Sequence, residues 1–429
     1  MNRKSEKDFV AENEKAYWKR FLKLFGLFEM AAKREYITDF VGLDLLRFIL
    51  ALVVVVRHYY HFYGPFPDSH FNIYGMDMTD EPLYRFLSPL YNLGHMAVPI
   101  FWLISGLIFY SLYHVEITKK EISIGRFSFL RFTRLYPLHF LTLLIVAALQ
   151  AFYYFQHHSY FVYQENTLNR FVLQLFFIDS WQVSDGLATF NVPTWSVSVE
   201  IFVYMVFYFV TLAGLTKGKG LPILLLFLLV ISAFQILPPF KECLFFFFSG
   251  CLLARWINSG IPLTYLFIPE VIIAVILVIA TSFLKTHLSP AGLHNAGYVY
   301  IYHLRDLAVF IVVVLCFIMT FRSAMPKFVA STFRNLGNMT YSIYLVHFPV
   351  QICIFLVIRP KDYAVFNDPK ILFLFLATSI ITGWLTFRFV ERPVQRYLRS
   401  KFEQPPSRKE IQQPSADILH DVGRLQPNT

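Results

Sequence analysis

The sequence predicts an all-α, polytopic membrane protein of about ten transmembrane helices with both termini in the cytoplasm. Three observations predict it. Of 429 residues, 56% are hydrophobic and only 15% are charged, with a mean hydropathy of +0.51, against roughly 25% charge in an ordinary soluble domain. Apolar runs of about 20 residues, the length that crosses a bilayer, recur from Phe40 onward. Basic residues also fall unevenly: threading ten spans leaves about 24 Lys and Arg on the side of the termini and about seven on the other, the bias expected of cytoplasmic loops. Such a composition excludes a soluble enzyme and a disordered protein. The formal charge of +10 is accounted for by that cytoplasmic excess, and no nucleic-acid partner is expected.

Residues 1–36 carry nine Lys and Arg ahead of the first long apolar run. That run starts too late and is too long for a cleavable signal, so these residues read as a cytoplasmic tail. Within the tail, residues 15–33 set Trp18, Phe21, Phe25 and Phe28 at helical spacing against Lys15, Lys19, Arg20 and Lys23. This is the pattern of an amphipathic helix lying on membrane lipids, or of one docked on the protein's own cytoplasmic face. Spans follow at about 40–61, 91–114, 130–153, 197–214, 221–239, 241–257, 264–284, 305–321, 339–358 and 371–389. An apolar patch at 171–178 has only about half the needed length and reads as a re-entrant or surface helix. One membrane domain therefore covers 37–399. Residues 400–429, rich in Pro, Gln and Ser, read as a disordered cytoplasmic tail. Cys243, Cys251, Cys316 and Cys353 all lie inside apolar runs without paired spacing, so neither metal nor redox chemistry is expected.

Ionisable side chains inside spans are costly and mark function. In the first span, Arg47 and His58 are eleven residues apart. At 100° per residue they share one helix face, about 16 Å apart along the axis, with Asp44 one turn before Arg47. Arg131 and Arg134 open the third span with i, i+3 spacing and precede Pro137. Positive-inside anchoring and a phosphate-bearing ligand explain them equally well. Trp195 leads into the fourth span, which places Glu200 at a depth comparable with His58. Tyr341, Tyr344 and His347 lie on one flank of the ninth span, as suited to helix packing as to a binding wall. Ser105 with Gly106 reads as a close-packing point between helices. His157, His158, His287, His294 and His303 read as solvated loop histidines.

Arg, ten residues, then His on a first span that starts LDLLR resembles the acyltransferase-3 family of multi-pass membrane acyltransferases. Further matches follow in the family's order: FWLISGLIF (101–109), RFTRLYPLHF (131–140), TWSVSVEIFVY (194–204), FFFFSGCLLAR (245–255), LGNMTYSIYLVHFPV (336–350) and FVERPVQRYL (389–398). The resemblance covers residues 38–399. It implies ten helices and transfer of a short acyl group, most often acetyl, from acetyl-CoA or another acyl-CoA to a hydroxyl of a carbohydrate or glycan acceptor. No permanently bound cofactor is expected, and a bacterial source implies the inner cell membrane. His58 is then the general base, Glu200 a group that orients it or stabilises its protonated form, and Arg47, Arg131 and Arg134 the holders of the donor. Asp44, Trp195, Tyr341, Tyr344 and His347 are the expected substrate-binding residues. Some relatives carry an extracytoplasmic hydrolase-like domain. None is expected after the last span here, so the protein acts alone or hands the acyl group to a separate extracytoplasmic protein. A transporter or exporter of a small or lipid-linked molecule would also carry intramembrane Arg, His and Glu, although the chain shows no inverted repeat. A sensor or binding protein without turnover is the other open class.

Overall fold

The computed structural model describes residues 41–64, 79–181, 189–232, 240–287, 296–321 and 325–402. The amphipathic segment 15–33 and the tail beyond 402 lie outside the described residues. Helices dominate the described residues, and no strand occurs among them. In chain order they are α1 (Val41–Arg57), α2 (Tyr84–Leu93), α3 (Ala97–Thr118), α4 (Ile124–His157), α5 (Leu168–Leu175), α6 (Thr194–Leu212), α7 (Gly220–Ser232), α8 (Lys241–Asn258), α9 (Leu263–His287), α10 (Ala296–Thr320), α11 (Lys327–Ile358), α12 (Pro369–Thr386) and α13 (Arg392–Phe402).

Every predicted span meets a helix. Seven helical stretches among the described residues are long and apolar enough to cross a bilayer: Tyr84–Thr118, Ile124–His157, Thr194–Leu212, Leu263–His287, Tyr300–Thr320, Lys327–Ile358 and Pro369–Lys401. The spans expected near 40–61, 221–239 and 241–257 correspond to α1, α7 and α8, which are shorter or more polar. The patch at 171–178 overlaps α5, whose eight residues rise only about 12 Å, too little to cross. His303 departs from the loop expectation: it lies within α10 and pairs with Glu242 at 3.7 Å.

Local chemistry sets several boundaries. Ser123 accepts from the Arg126 amide at 3.2 Å to start α4, and Asp368 accepts from the Lys370 amide at 2.9 Å with Pro369 at the first position of α12. Each side chain satisfies an amide that the first helical turn leaves open. Ile272, Ile276, Ile279 and Phe283 form an outward stripe along α9, the face lipid solvates at no cost to the backbone.

Buried contacts fall into two apolar cores that share α1. Leu43, Leu46, Leu50 and Val54 face a core built with α3, α6, α8 and α10. Ala51, Val55, Tyr59 and Phe62 face a second built with α4, α11 and α12. Two close crossings hold this arrangement. A Cβ at Gly106 on α3 would strike the Phe247 carbonyl of α8, and one at Gly250 would strike Leu103, so the small-residue packing read from the sequence is present. A Cβ at Gly337 of α11 would overlap Asp44 of α1, which presses the start of α1 against α11.

Candidate active site

A cavity of about 460 Å³ opens between α1, α3, α4, α6, α11 and α13, within the size range of small-molecule sites. Four arginines line it: Arg47, Arg131, Arg134 and Arg399. Glu200 supplies the carboxylate among the lining residues, so the wall favours an anionic guest. Each cation is held. Arg47 pairs with Asp44 at 3.5 Å, one turn earlier on α1. Arg131 donates to the Tyr113 hydroxyl at 2.5 Å, with its guanidinium 4.9 Å from the Phe109 ring. Arg134 sits 3.0 Å from Glu391, whose other oxygen accepts from Ser342 at 2.6 Å. Both arginines of the third-span motif thus face the cavity, held there by side chains from other helices.

Glu200 occupies the same cavity. Ser105 and Tyr204 lie against its carboxyl, and the charges acting on it are those of Arg47 and Arg131. This corrects the expectation that it orients His58. Depth along a helix does not fix azimuth, and the face of α6 that carries Glu200 turns toward Arg47 instead. Ser105, read as a packing residue, lines the cavity beside Gly106. Trp195 is partly exposed and meets the lining residue Trp102 edge-on at 5.9 Å, so it backs the wall while its neighbour Ser196 forms it. Tyr341 and Tyr344 line the cavity. Their hydroxyls are tied, Tyr341 donating to the Leu135 carbonyl at 2.8 Å and Tyr344 sharing a 2.9 Å hydrogen bond with Ser196.

One turn beyond Tyr344 lies the partner of His58. His58 Nδ1 and His347 Nε2 are 2.8 Å apart, with ring planes within 8° of each other. The backbone brings them together because α1 and α11 run side by side in the same direction, meeting at Asp44 and Gly337 near one end and at the two histidines near the other. After Arg57 the chain tightens into a 3-10 turn, His58–Tyr63. Gln351, one turn past His347, secures that turn: its Nε2 donates to the His58 carbonyl at 3.0 Å and its Oε1 accepts from His61 Nδ1 at 3.2 Å. His61 Nε2 is left to accept from the Tyr163 hydroxyl at 2.7 Å. Both nitrogens of His61 are therefore occupied. His58, half-buried, has a hydrogen bond at Nδ1 alone among the described residues. Sequence reasoning missed Gln351 and Tyr163, although Gln351 stands at i+4 from His347 and so on its face.

Residues 40–388 match the family model described as an acyltransferase domain. The chain belongs to the acyltransferase-3 family. Among curated proteins, this acyltransferase-3 member is 29% identical over 136 residues to "Acyltransferase MdmB" of Streptomyces mycarofaciens, covering 30% of the chain and 31% of that protein. It is 30% identical over 109 residues to "Protein 2 in picA locus" of Rhizobium radiobacter, covering 25% of the chain and 44% of that protein. The matched stretches thus span less than half the length of either relative. No solved structure matches the chain.

On the far side of the histidine turn, Arg57 donates to the Tyr91 carbonyl at 2.6 Å. Nearby, Glu81 precedes α2 and is only 5% exposed. Burial pushes its carboxyl up to about 8, against the lowering pull of Arg57.

Proposed function

We propose that the protein is a membrane acyltransferase that moves a short acyl group, acetyl above all, from acyl-coenzyme A on the cytoplasmic side to a hydroxyl of a carbohydrate or cell-surface glycan. The reading includes ten transmembrane helices, cytoplasmic termini and residence in the cell membrane. The observation that carries it is the line from an arginine-lined cavity, past Tyr344, to the His58–His347 pair. Arg47 and His58 stand about 16 Å apart along α1, comparable with an extended pantetheine arm. The donor's phosphates and amides rest among Arg47, Arg131 and Arg134, whose planar guanidinium groups suit such oxygens. Glu200, with Ser105 and Tyr204, belongs to this donor end and keeps the arginines in place.

The chemistry follows from the hydrogen bonds. With the proton of His347 placed on its buried Nδ1, which has no hydrogen-bond partner among the described residues, Nε2 is the acceptor of the 2.8 Å contact. His58 then donates through Nδ1 and keeps Nε2 unprotonated. That nitrogen takes the proton of the acceptor hydroxyl as its oxygen attacks the thioester carbonyl carbon. The tetrahedral oxyanion collapses, the carbon–sulfur bond breaks, and the imidazolium returns its proton to the departing thiolate. His347 is a positioning residue in this scheme and His58 the base.

Purified protein in detergent tests the reading. It is expected to release free coenzyme A from acetyl-CoA, faster with an added glycan acceptor, and His58→Ala is expected to slow release about 10²- to 10⁴-fold while purifying as folded protein. No release by the wild type overturns the reading, and transport without release establishes the exporter class instead.

A further inference from the structure

Residues 158–167 connect α4 to α5 without helix or strand, yet side chains clamp their backbone at two points. Gln150, fully buried on α4, takes both backbone groups of Phe161: its Nε2 donates to the Phe161 carbonyl at 3.0 Å and its Oε1 accepts from the Phe161 amide at 2.8 Å. Asn166 donates to the Tyr163 carbonyl at 2.8 Å, while its own oxygen accepts from the Phe190 amide at 2.5 Å. Between these clamps Val162 stands at φ +62°, a left-handed conformation that a β-branched residue holds only where its surroundings over-determine it. Strain of this kind clusters at functional sites. The side chain that the strained connection delivers is Tyr163, 7% exposed, with its hydroxyl 2.7 Å from His61 Nε2.

The hydrogen bonds from Tyr163 to the base run in one direction. The His58 carbonyl only accepts, so Gln351 faces it with its amide NH2 and presents its oxygen to His61. That oxygen accepts from Nδ1, so a neutral His61 carries its proton there and keeps a lone pair on Nε2. A donor must satisfy that lone pair, and the Tyr163 hydroxyl is the donor in place. His61 in turn stacks on His58, with ring centroids 5.1 Å apart and planes within 14°. Without the hydroxyl, Nε2 is a buried lone pair with no partner, which favours the tautomer protonated there. Nδ1 then meets the Gln351 oxygen lone pair to lone pair, and an amide turned over to avoid this brings that oxygen against the His58 carbonyl. Each arrangement breaks one link between α11 and the turn that begins at the base.

Resting on the reading of His58 as the base, we propose that Tyr163 is a positioning residue for it. From outside the cavity wall, Tyr163 fixes the tautomer of His61 and, through Gln351, the place of the His58 backbone. His61 takes no proton from substrate, since both of its nitrogens are committed.

Turnover of acetyl-CoA and affinity for it, measured on full-length protein in detergent, test this with Tyr163→Phe, which keeps the ring and removes the oxygen. Turnover is expected to fall about tenfold, the rate equivalent of one buried hydrogen bond. Affinity for acetyl-CoA is expected to hold, because Tyr163 is not among the residues that line the cavity. His61→Asn supplies the second arm: its amide NH2 stands near the place of Nδ1 and donates to Gln351 whatever residue 163 does. That variant is expected to be a few-fold slower than the wild type, and Tyr163→Phe is expected to add nothing to it, as groups acting through one chain do not add. Normal turnover in Tyr163→Phe overturns the proposal, as does a loss of affinity in place of turnover. The same cost with and without His61→Asn also overturns it, since that is the behaviour of a purely structural tyrosine. If Tyr163→Phe does not purify as folded protein, His61→Leu and His61→Asn are compared instead: a slower Leu variant supports the chain of hydrogen bonds, and equal turnover overturns it. A His58→Ala variant at the wild-type rate overturns the base reading itself, which separates that failure from this one.

Discussion

Replacing His347 tests whether the partner of His58 governs its reactivity. The 2.8 Å contact holds one ring nitrogen of His58 and leaves the other free, so losing the acceptor releases both the ring's orientation and its tautomer. A hydrogen bond in a buried place is worth about 1–3 kcal/mol when its partner is left unsatisfied. At about 1.4 kcal/mol per factor of ten, His347→Leu is expected to lower the turnover of acetyl-CoA by about 5- to 150-fold. His347→Gln supplies an oxygen near the position of Nε2 and is expected to recover most of that loss, to within about fivefold of the wild type. Both variants fill a fully buried site between α1 and α11, so their melting temperatures belong beside the rates. Steady-state release of coenzyme A, followed against pH, gives turnover and the apparent titration of the base together. Two results refute the argument: normal turnover in His347→Leu, or a His347→Gln variant as slow as His347→Leu at an unchanged melting temperature. The second would mean that the imidazole of residue 347 itself takes part in proton transfer.

Three other expectations stand on separate parts of the molecule. Arg47→Lys should fail nearly as badly as Arg47→Ala in donor binding, because a point charge does not replace a planar group facing several oxygens; full recovery with Lys would reduce Arg47 to a counter-ion for Asp44. Gly106→Ala drives a methyl into the Phe247 carbonyl, and such overpacking typically costs about 1–3 kcal/mol, so detergent-purified protein should melt lower, whereas an unchanged melting point would deny the α3–α8 crossing. Glu81 binds its proton more tightly in the folded state than in the unfolded one, since burial raises it to about 8 from its ordinary value of 4.5. Its contribution is therefore complete below pH 4.5 and lost as pH rises through about 8, by at most about 1.4 kcal/mol per pH unit. Glu81→Gln should flatten the melting temperature between pH 5 and 9, and a slope equal to the wild type's would exclude Glu81 as its source.

The long apolar helices were legible because lipid demands a run of about 20 apolar residues, and α4, α9 and α11 meet that demand without ambiguity. The charged residues within them were legible for the complementary reason: Arg47, Arg131, Arg134 and Glu200 stand out against a background that penalises them, and all four line one cavity. Pairings across the bundle were not legible. Depth can be counted along a helix, but the direction a side chain faces depends on neighbours hundreds of residues away, so Glu200 was matched to His58 when the partner is His347. Gly106 carried its packing role in its own identity, while Ser105 beside it gave no sign of facing a carboxylate. The place of Arg399 in the cavity wall was hidden for another reason. It falls after the last apolar span, where basic residues are expected for topology alone.

The joining of α1 to α11 also has a consequence for how the protein comes into being. His58 and His347 are separated by 289 positions, and at about 5–20 residues per second of synthesis the first histidine waits roughly 15–60 s for the second. During that interval Asp44 likewise lacks Gly337 against its side chain, and the His58 carbonyl lacks the amide of Gln351. A nascent chain arrested before α11 therefore holds the arginines of α1 and α4 but no histidine pair. Ribosome-bound intermediates of this protein should sit in the membrane as chemically silent chains, and competence should arrive in one late step, as α11 slides in beside a helix that was made first.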